Sequence, residues 1–215
     1  MDESLKNILK EGSKLLEIEL SPKQLHKFTL YLLRLKKWNR HINLTGIRDD
    51  REIVIKHFLD SLTPFSLLKP HWSLLDIGTG AGFPGIPLKI AAPSLKLTLV
   101  ESRRKRVSFL KEIIRLLELK EVNVIQTYLD TKRPTISPSL FDAVISRATL
   151  PLAKYLKLAH PFVKKGGVII AMVGLNTPVP SSELKQLNLE LASTKSLILP
   201  FSQIKREIME LKKLS

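Results

Sequence analysis

Residues 74–87 read Leu-Leu-Asp-Ile-Gly-Thr-Gly-Ala-Gly-Phe-Pro-Gly-Ile-Pro, an apolar strand ending in a carboxylate, then a glycine turn and a proline-started helix. The turn glycines are Gly78, Gly80 and Gly82. Glycine adopts positive φ and lets a bound molecule approach the main chain closely. A second strand, residues 95–101, ends in Glu101, nineteen residues after the third glycine. Because a doubly wound sheet places an acid there against a ribose, the two strands predict a nucleoside site.

The composition is typical of a soluble globular protein. At 215 residues and 44% hydrophobic content, the chain can bury one substantial core, or a small domain beside a larger one. No apolar run approaches the roughly 18 residues of a membrane span, and the charged N-terminus lacks a signal-peptide core, so we expect a cytoplasmic protein. The absence of cysteine excludes disulfides and thiolate chemistry. Five scattered histidines predict no metal site.

The charge is strongly basic and unevenly distributed. The net charge is +15, and residues 71–215 contain 22 basic and 11 acidic side chains. A polyanion is the natural partner of such a surface. A solvated basic surface without a specific partner remains the alternative.

The first 70 residues have helical periodicity. Ser21-Pro22-Lys23-Gln24 forms a predicted capping box with proline at the first helical position, and the apolar stripe that follows predicts a helix over 22–38. We expect one helix before it and another over 50–59. Residues 1–70 are therefore predicted to form a helical cap, and residues 71–215 the ligand-binding domain.

From residue 72 onward, apolar strands alternate with helical stretches. Strands are predicted near 72–77, 95–101, 122–127, 140–146 and 167–173. The clearest helix is 103–119, capped by Ser102; another is expected near 182–191, before a hairpin of 195–200 and 206–211. This alternation predicts an α/β fold with a doubly wound, mostly parallel, Rossmann-like sheet.

The glycine spacing distinguishes between nucleotide ligands. Dinucleotide enzymes use GxGxxG, whereas this chain has Phe83 at the third glycine position and Pro84 removes an N–H that a pyrophosphate would need. The carboxylate of Asp76 would also repel a dianion. A ribose-bearing cation fits better, so we predict S-adenosylmethionine, with Glu101 accepting its ribose hydroxyls and the three glycines lining its site.

The chain resembles the bacterial ribosomal small-subunit methyltransferases once called glucose-inhibited division protein B. The residues that match are Asn43-Leu44-Thr45, His57 with Asp60-Ser61-Leu62, Asp76 to Pro87 (DIGTGAGFPGIP), Glu101-Ser102, Lys105-Arg106, Phe109-Leu110, Ser146-Arg147-Ala148 and Gly166-Gly167. The resemblance implies a class I methyltransferase-like fold and methyl transfer from S-adenosylmethionine to N7 of a guanine in 16S ribosomal RNA. It implies that the substrate is this RNA or the small ribosomal subunit, and we expect a monomer.

The resemblance also implies roles for individual residues. Gly78 and Phe83 would contact the cofactor through the turn, Leu129 and Asp130 would bracket its adenine, and Arg147 would face cofactor and RNA as a positioning residue. Guanine N7 has an in-plane lone pair and no proton to lose, so the reaction requires no general base. His57 and Asp60 are expected to fasten the cap to the sheet.

A basic run opens the predicted helix at 103–119. It consists of Arg103, Arg104, Lys105 and Arg106. Because the helix dipole disfavours cations there, the run indicates an external anion, which we predict to be RNA phosphate. Six further residues are predicted to extend this surface around the site: Lys132, Arg133, Lys154, Lys157, Lys164 and Lys165. Tyr128 is available to stack on a base.

Three other functions remain open. The first is a methyltransferase with another substrate, whose activity would not depend on salt. The second is a catalytically weak ribosome-binding protein, because Tyr128 and Val173 stand where the family commonly has basic residues. The third is a nicotinamide enzyme, which Asp76, Phe83 and Pro84 disfavour.

Overall fold

A computed structural model describes residues 1–130, 140–147 and 150–214. The predicted residues Lys132, Arg133 and Ala148 lie outside these ranges. Seven strands are described: β1 Ser73–Ile77, β2 Lys96–Glu101, β3 Val122–Gln126, β4 Phe141–Arg147, β5 Val163–Val173, β6 Leu189–Ile198 and β7 Lys205–Lys213.

These strands form one mostly parallel sheet. Its order is β3-β2-β1-β4-β5-β7-β6, and β7 runs antiparallel to both of its neighbours. The strand order reverses between β1 and β4, where Asp76 lies opposite Ile145. A doubly wound sheet opens a ligand crevice at such a reversal, outside the carboxyl ends of the strands. The predicted fold class is confirmed.

The helices cover both faces of the sheet and build the cap. They are α1 Glu3–Leu15, α2 Pro22–Asn39, α3 Asp50–Ile53, α4 Asp60–Leu62, α5 Gly85–Ala91, α6 Arg104–Leu116, α7 Leu152–Ala159 and α8 Ser181–Gln186. A π-helical segment, Val54–Leu59, joins α3 to α4. The capping box of Ser21 and Gln24 is present as predicted. No helix in the described ranges is long and apolar enough to cross a membrane.

Two predicted boundaries are wrong. The helix expected over 182–191 stops at Gln186, because Asn188 has a φ of 50° and Leu189 already pairs with β7. Ser102 does not cap α6; the N-cap residue is Arg103, whose backbone N–H donates to Glu101 Oε1 at 2.8 Å. α6 therefore begins without a side-chain cap, and the acid at the tip of β2 holds the backbone of its N-cap residue.

The cap and the sheet share one buried core. Phe28, Leu32 and Leu35 of the predicted stripe are fully buried in the same cluster as Phe109 of α6. Trp38 packs edge-on against the Phe109 ring at 5.7 Å. The predicted boundary near residue 70 therefore separates two segments that bury apolar surface against each other.

A buried carboxylate also fastens the cap to the sheet. Asp60 of α4 accepts from Arg206 Nε of β7 at 2.9 Å and from Arg147 Nη1 of β4 at 3.3 Å. The Asp60 side chain is almost completely buried, whereas both arginines keep some contact with solvent. One carboxylate thus neutralises two guanidinium groups from different strands.

We expect Asp60→Asn to lower the free energy of unfolding by about 3 kcal/mol, because it leaves two partly buried arginines without a counter-charge. Urea denaturation measures this loss. The control is Glu3→Gln, which removes an exposed pair with Lys6 and should change stability by about 0.5 kcal/mol or less. Equal losses in the two variants would contradict the role assigned to Asp60.

Candidate functional site

A cavity of about 300 Å³ opens at the carboxyl ends of β1, β2 and β3. Ile77, Val100 and Leu158 contribute to its apolar wall. Five residues predicted from the sequence line it together: Gly78, Glu101, Tyr128, Leu129 and Asp130. Tyr128 is 68% exposed at the rim. The structure therefore gathers the acid at the tip of β2 and the predicted adenine-binding residues around one cavity.

Glu101 is the oriented acid of this cavity. Its side chain is 5% exposed, and its Oε2 accepts from the backbone N–H of Gly80 at 3.1 Å. Its Oε1 accepts from the backbone N–H of Arg103 at 2.8 Å. Oε1 also accepts a longer hydrogen bond from Ser102 Oγ at 3.4 Å. Each carboxylate oxygen can accept two hydrogen bonds, so Oε2 retains capacity for a ligand donor, and Oε1 regains it when the Ser102 hydroxyl rotates away. Main-chain donors thus fix the carboxylate without saturating it.

The glycine turn meets two different constraints. Gly80 has a φ of 63°, and a Cβ there would lie 3.8 Å from Arg106 Nη1, so only the backbone conformation favours glycine. Gly82 has a φ of 99°, and a Cβ there would lie 2.5 Å from Ile86 Cδ1 and 2.8 Å from Tyr31 Oη. Gly82 is therefore required by space as well as by φ.

Asp76 supports the turn from inside. Its Oδ2 accepts from Thr79 Oγ1 at 2.6 Å and from the Gly85 backbone N–H at 2.9 Å. The residue is fully buried and does not line the cavity, so the expectation that it faces the ligand is wrong. Burial raises the pKa of Asp76 to about 6, against the opposing effect of its hydrogen bonds to Thr79 and Gly85. Asp76 shapes the turn that a ligand meets.

Phe83 links the turn to the cap. Its ring stacks on His57 at 4.6 Å and on Tyr31 at 5.5 Å between centroids. Tyr31 Oη donates to the carbonyl of Ala81 at 2.5 Å, so α2 holds the turn by a hydrogen bond as well as by stacking. The Phe83 side chain therefore points away from the cavity. Sequence reasoning missed Tyr31, which differs from an ordinary core residue only by its hydroxyl.

Arg147 also points toward the cap. Its guanidinium lies 5.2 Å above the Phe83 ring, donates to the carbonyl of Lys56 at 3.1 Å and pairs with Asp60. Arg147 is not among the residues lining the 300 Å³ cavity. The Arg147 side chain therefore contacts the cap, and its predicted contact with cofactor and RNA stays a prediction.

The contacts of His57 fix its tautomer. Arg147 can only donate, so His57 Nδ1 accepts from Arg147 Nη2 at 3.1 Å and carries no proton. His57 Nε2–H then donates to Thr45 Oγ1 at 2.7 Å. Burial, with the Arg147 charge as a second cause, lowers the pKa of His57 to about 3. Because the imidazole joins the cap to β4, the predicted fastening role of His57 is confirmed.

The basic residues divide into free and engaged groups. Arg103, Arg104 and Lys105 are exposed at the start of α6. Arg106 lies across the turn, with Nη1 3.6 Å from Glu101 Oε2 and Nη2 donating to the carbonyl of Asn43. The run therefore presents three side chains to solvent beside the cavity.

The predicted extension of the basic surface is partly wrong. Lys154 lines the cavity, but Lys157 pairs with Glu183. Lys164 pairs with Asp142 at the beginning of β4 and β5, so Lys164 and Lys165 lie at the opposite edge of the sheet. Within the described parts of the chain, no group of three or more histidine, aspartate or glutamate side chains is placed to hold a metal ion.

The comparisons with known proteins agree with this geometry. A family model described as rRNA small subunit methyltransferase G matches residues 24–209. The chain belongs to this family. Proteins named ribosomal RNA small subunit methyltransferase G are similar to it in Acetivibrio thermocellus (39% identity; 99% of this chain and 91% of that protein) and Syntrophus aciditrophicus (42%; 96% and 88%). A crystal structure of M. jannaschii TYW2 in complex with AdoMet shares the fold, at TM-score 0.56 and 16% identity over 73% of this chain and 76% of that one.

The family relationship confirms the predicted enzyme class, a methyltransferase that uses S-adenosylmethionine. The residues of the cavity fit this cofactor. Glu101 presents an unsaturated carboxylate oxygen, Gly78 presents bare main chain with a φ of 69°, and the surrounding wall is largely apolar. A volume of about 300 Å³ is within the range of small-molecule sites.

The two glycine environments predict unequal effects of alanine. Gly80→Ala should lower the free energy of unfolding by about 1 kcal/mol through backbone strain, and Gly82→Ala by about 3 kcal/mol because overpacking is added. Urea denaturation of the pair measures both values, each variant serving as control for the other. Equal losses would mean that the contacts of Gly82 with Ile86 and Tyr31 impose no constraint.

The depressed pKa of His57 predicts acid sensitivity. The unfolded chain takes up a proton at this residue near pH 6.5, whereas the folded chain does not until about pH 3, so stability falls as the pH falls between those values. The wild type should lose about 3 kcal/mol through His57 between pH 7 and pH 4, and His57→Gln should not. Denaturation at both pH values measures the difference, and a pH-independent difference between the proteins would contradict the assignment.

Proposed function

We propose that this protein transfers a methyl group from S-adenosylmethionine to N7 of a guanine in the 16S RNA of the small ribosomal subunit. The observation that carries the proposal is the Glu101 carboxylate. It is buried at the cavity wall, fixed by two main-chain donors and still able to accept hydrogen bonds. The exposed basic residues at the start of α6 begin two residues later, so the proposed cofactor site and anion-binding surface meet at the connection between β2 and α6.

Four residues are proposed to contact the cofactor. Glu101 accepts the two ribose hydroxyls, and the main chain of Gly78 allows close approach. Leu129 and Asp130, on the loop after β3, flank the adenine. This proposal is supported by the shared cavity that all four line.

Four further residues are proposed to shape the site without side-chain contact with the cofactor: Asp76, Gly80, Gly82 and Phe83. Asp76 receives two hydrogen bonds across the turn, and Phe83 anchors the turn against the cap. Arg147 acts as a positioning residue through its cation–π contact with Phe83 and its pair with Asp60. These contacts are proposed to fix the shape of the turn before a ligand binds.

The reaction places few demands on the protein. The cofactor supplies an electrophilic methyl group on a sulfonium. Guanine N7 offers a lone pair and has no proton to lose, so the residues need only hold the base in line, and orientation of this kind can lower a barrier by roughly 7 to 11 kcal/mol. His57, with Nδ1 facing Arg147 and Nε2 facing Thr45, is not required as a base.

The RNA is proposed to approach over the start of α6. Arg103, Arg104 and Lys105 are exposed there, and Tyr128 offers a ring face at the cavity rim. Phosphates would pair with the cations and a base would stack on the tyrosine. We propose that the protein acts as a cytoplasmic monomer without a metal.

Glu101→Gln should raise the dissociation constant of S-adenosylmethionine about 10- to 100-fold, because charged hydrogen bonds contribute about 1.5 to 3 kcal/mol each. Isothermal titration calorimetry measures this constant. Glu190→Gln, an exposed change on β6, is the matched control and should bind as the wild type does. Unchanged affinity in Glu101→Gln would remove the cavity from the cofactor site.

The reaction itself is tested with cofactor labelled in its methyl group. The substrate is 16S RNA, free and in small subunits, from cells that lack the family's enzyme, and the labelled nucleotide is then mapped. Label at a guanine N7 supports the proposal. Label elsewhere, or binding of RNA and cofactor without transfer, contradicts it and favours another substrate or a catalytically weak ribosome-binding protein.

A further inference from the structure

A second cavity, of about 350 Å³, lies at the opposite edge of the sheet. It is enclosed by the beginning of α2, the end of α5 and the residues that follow α6. Its wall includes Pro93 and Lys120, which precede β2 and β3. Because these strands are parallel to β1, the cavity is at the amino ends of the strands, away from the proposed cofactor site.

Four lysine residues line this cavity, and one acidic residue does. The lysines are Lys23, Lys27, Lys89 and Lys120; the acid is Glu118. Among the described residues, none of the four lysines forms an ion pair within 4 Å. The beginning of α2 adds the positive end of a helix dipole, with no acidic residue in its first turn. The cavity therefore concentrates positive charge.

Lys89 distinguishes this cavity from a group of exposed lysines, because its side chain is buried. The residue is 2% exposed, and its ammonium donates to the carbonyls of Pro93 and Leu95. Carbonyls do not neutralise a charge, and buried charges in proteins are usually paired. The ammonium can donate three hydrogen bonds, so one remains for a ligand.

The neighbouring cations lower each other's proton affinity. Burial lowers the pKa of Lys27, and the charge of Lys23 lowers it further. Burial likewise lowers the pKa of Lys89, against a nearby Glu121, while Lys27 adds to the lowering. A structural role explains the contacts of Lys89 with two carbonyls. It does not explain why Lys23, Lys27 and Lys120 line the same cavity.

We propose that this cavity binds a backbone phosphate of the RNA substrate. The inference rests on the proposed function, which supplies a long polyanion. A phosphate bound among these four lysines would offset the excess of positive charge. Since this site and the cofactor cavity lie at opposite edges of the sheet, the RNA contacts the protein at two separated surfaces, as a folded RNA can.

The test neutralises the three lysines that are not buried, as Lys23→Gln/Lys27→Gln/Lys120→Gln. The control is Lys195→Gln/Lys205→Gln/Lys212→Gln, an equal charge change at exposed residues of β6 and β7. Filter binding to 16S RNA is measured over a range of salt. The cavity variant should bind about tenfold more weakly than the control, with a salt slope smaller by about 1. Its S-adenosylmethionine affinity, thermal midpoint and maximal rate should match the control, and its KM for RNA should rise.

RNA affinity and salt slope equal to those of the control would overturn the inference. A second arm titrates both variants with inorganic phosphate by NMR. Loss of phosphate binding without loss of RNA binding would mean that the cavity holds a free anion, and the RNA assignment would be wrong. Methyl transfer by the wild-type protein tests the proposed function separately. If the wild type transfers methyl while the cavity variant and the control bind RNA equally well, the proposed function stands and only the phosphate site is wrong.

Discussion

The Phe83 ring stacks on His57 and on Tyr31, and these contacts join the helical cap rigidly to the glycine turn. A turn of three glycines has little stiffness of its own, since each residue can adopt many conformations. Here the Phe83 ring stacks on both His57 and Tyr31, and Tyr31 donates to the neighbouring carbonyl of Ala81. The shape of the proposed cofactor cavity therefore depends on the N-terminal helices. A substitution that destabilises the cap should also change the conformation of the turn.

The same region contains several buried polar groups, and their protonation states are interdependent. Arg147 donates to Nδ1 of His57 and so keeps the imidazole neutral, while Asp60 neutralises Arg147. Asp76 lies within the turn and is stabilised by donors from Thr79 and Gly85. Burial of charge is unfavourable unless geometry compensates it. These groups therefore favour a single arrangement of cap, turn and β4, which is the rigidity that a reaction based on orientation needs.

Much of this arrangement could be predicted from the sequence, because it is encoded in local patterns. The apolar strands, the glycine turn and Glu101 at the tip of β2 follow from periodicity and spacing. The orientation of Asp76, Phe83 and Arg147 does not, because it depends on which partners the fold brings within reach: Tyr31 is 50 residues from its acceptor Ala81, and Arg147 is 87 residues from Asp60. Spacing identified these residues as candidates, but it could not identify the partners that their side chains contact.

The distribution of charge likewise depends on which residues the fold brings together. Sequence alone placed Lys164 and Lys165 beside the site, whereas the start of β5 puts them at the opposite edge, where Lys164 pairs with Asp142. The lysines that do converge there, from α2, α5 and the loop after α6, are separated by up to 97 positions and show no common motif. Two basic surfaces at opposite ends of one sheet cannot both contact a short straight strand of RNA. A protein built this way gains affinity from the three-dimensional shape of its substrate, so recognition would depend on RNA folding as well as on the target base.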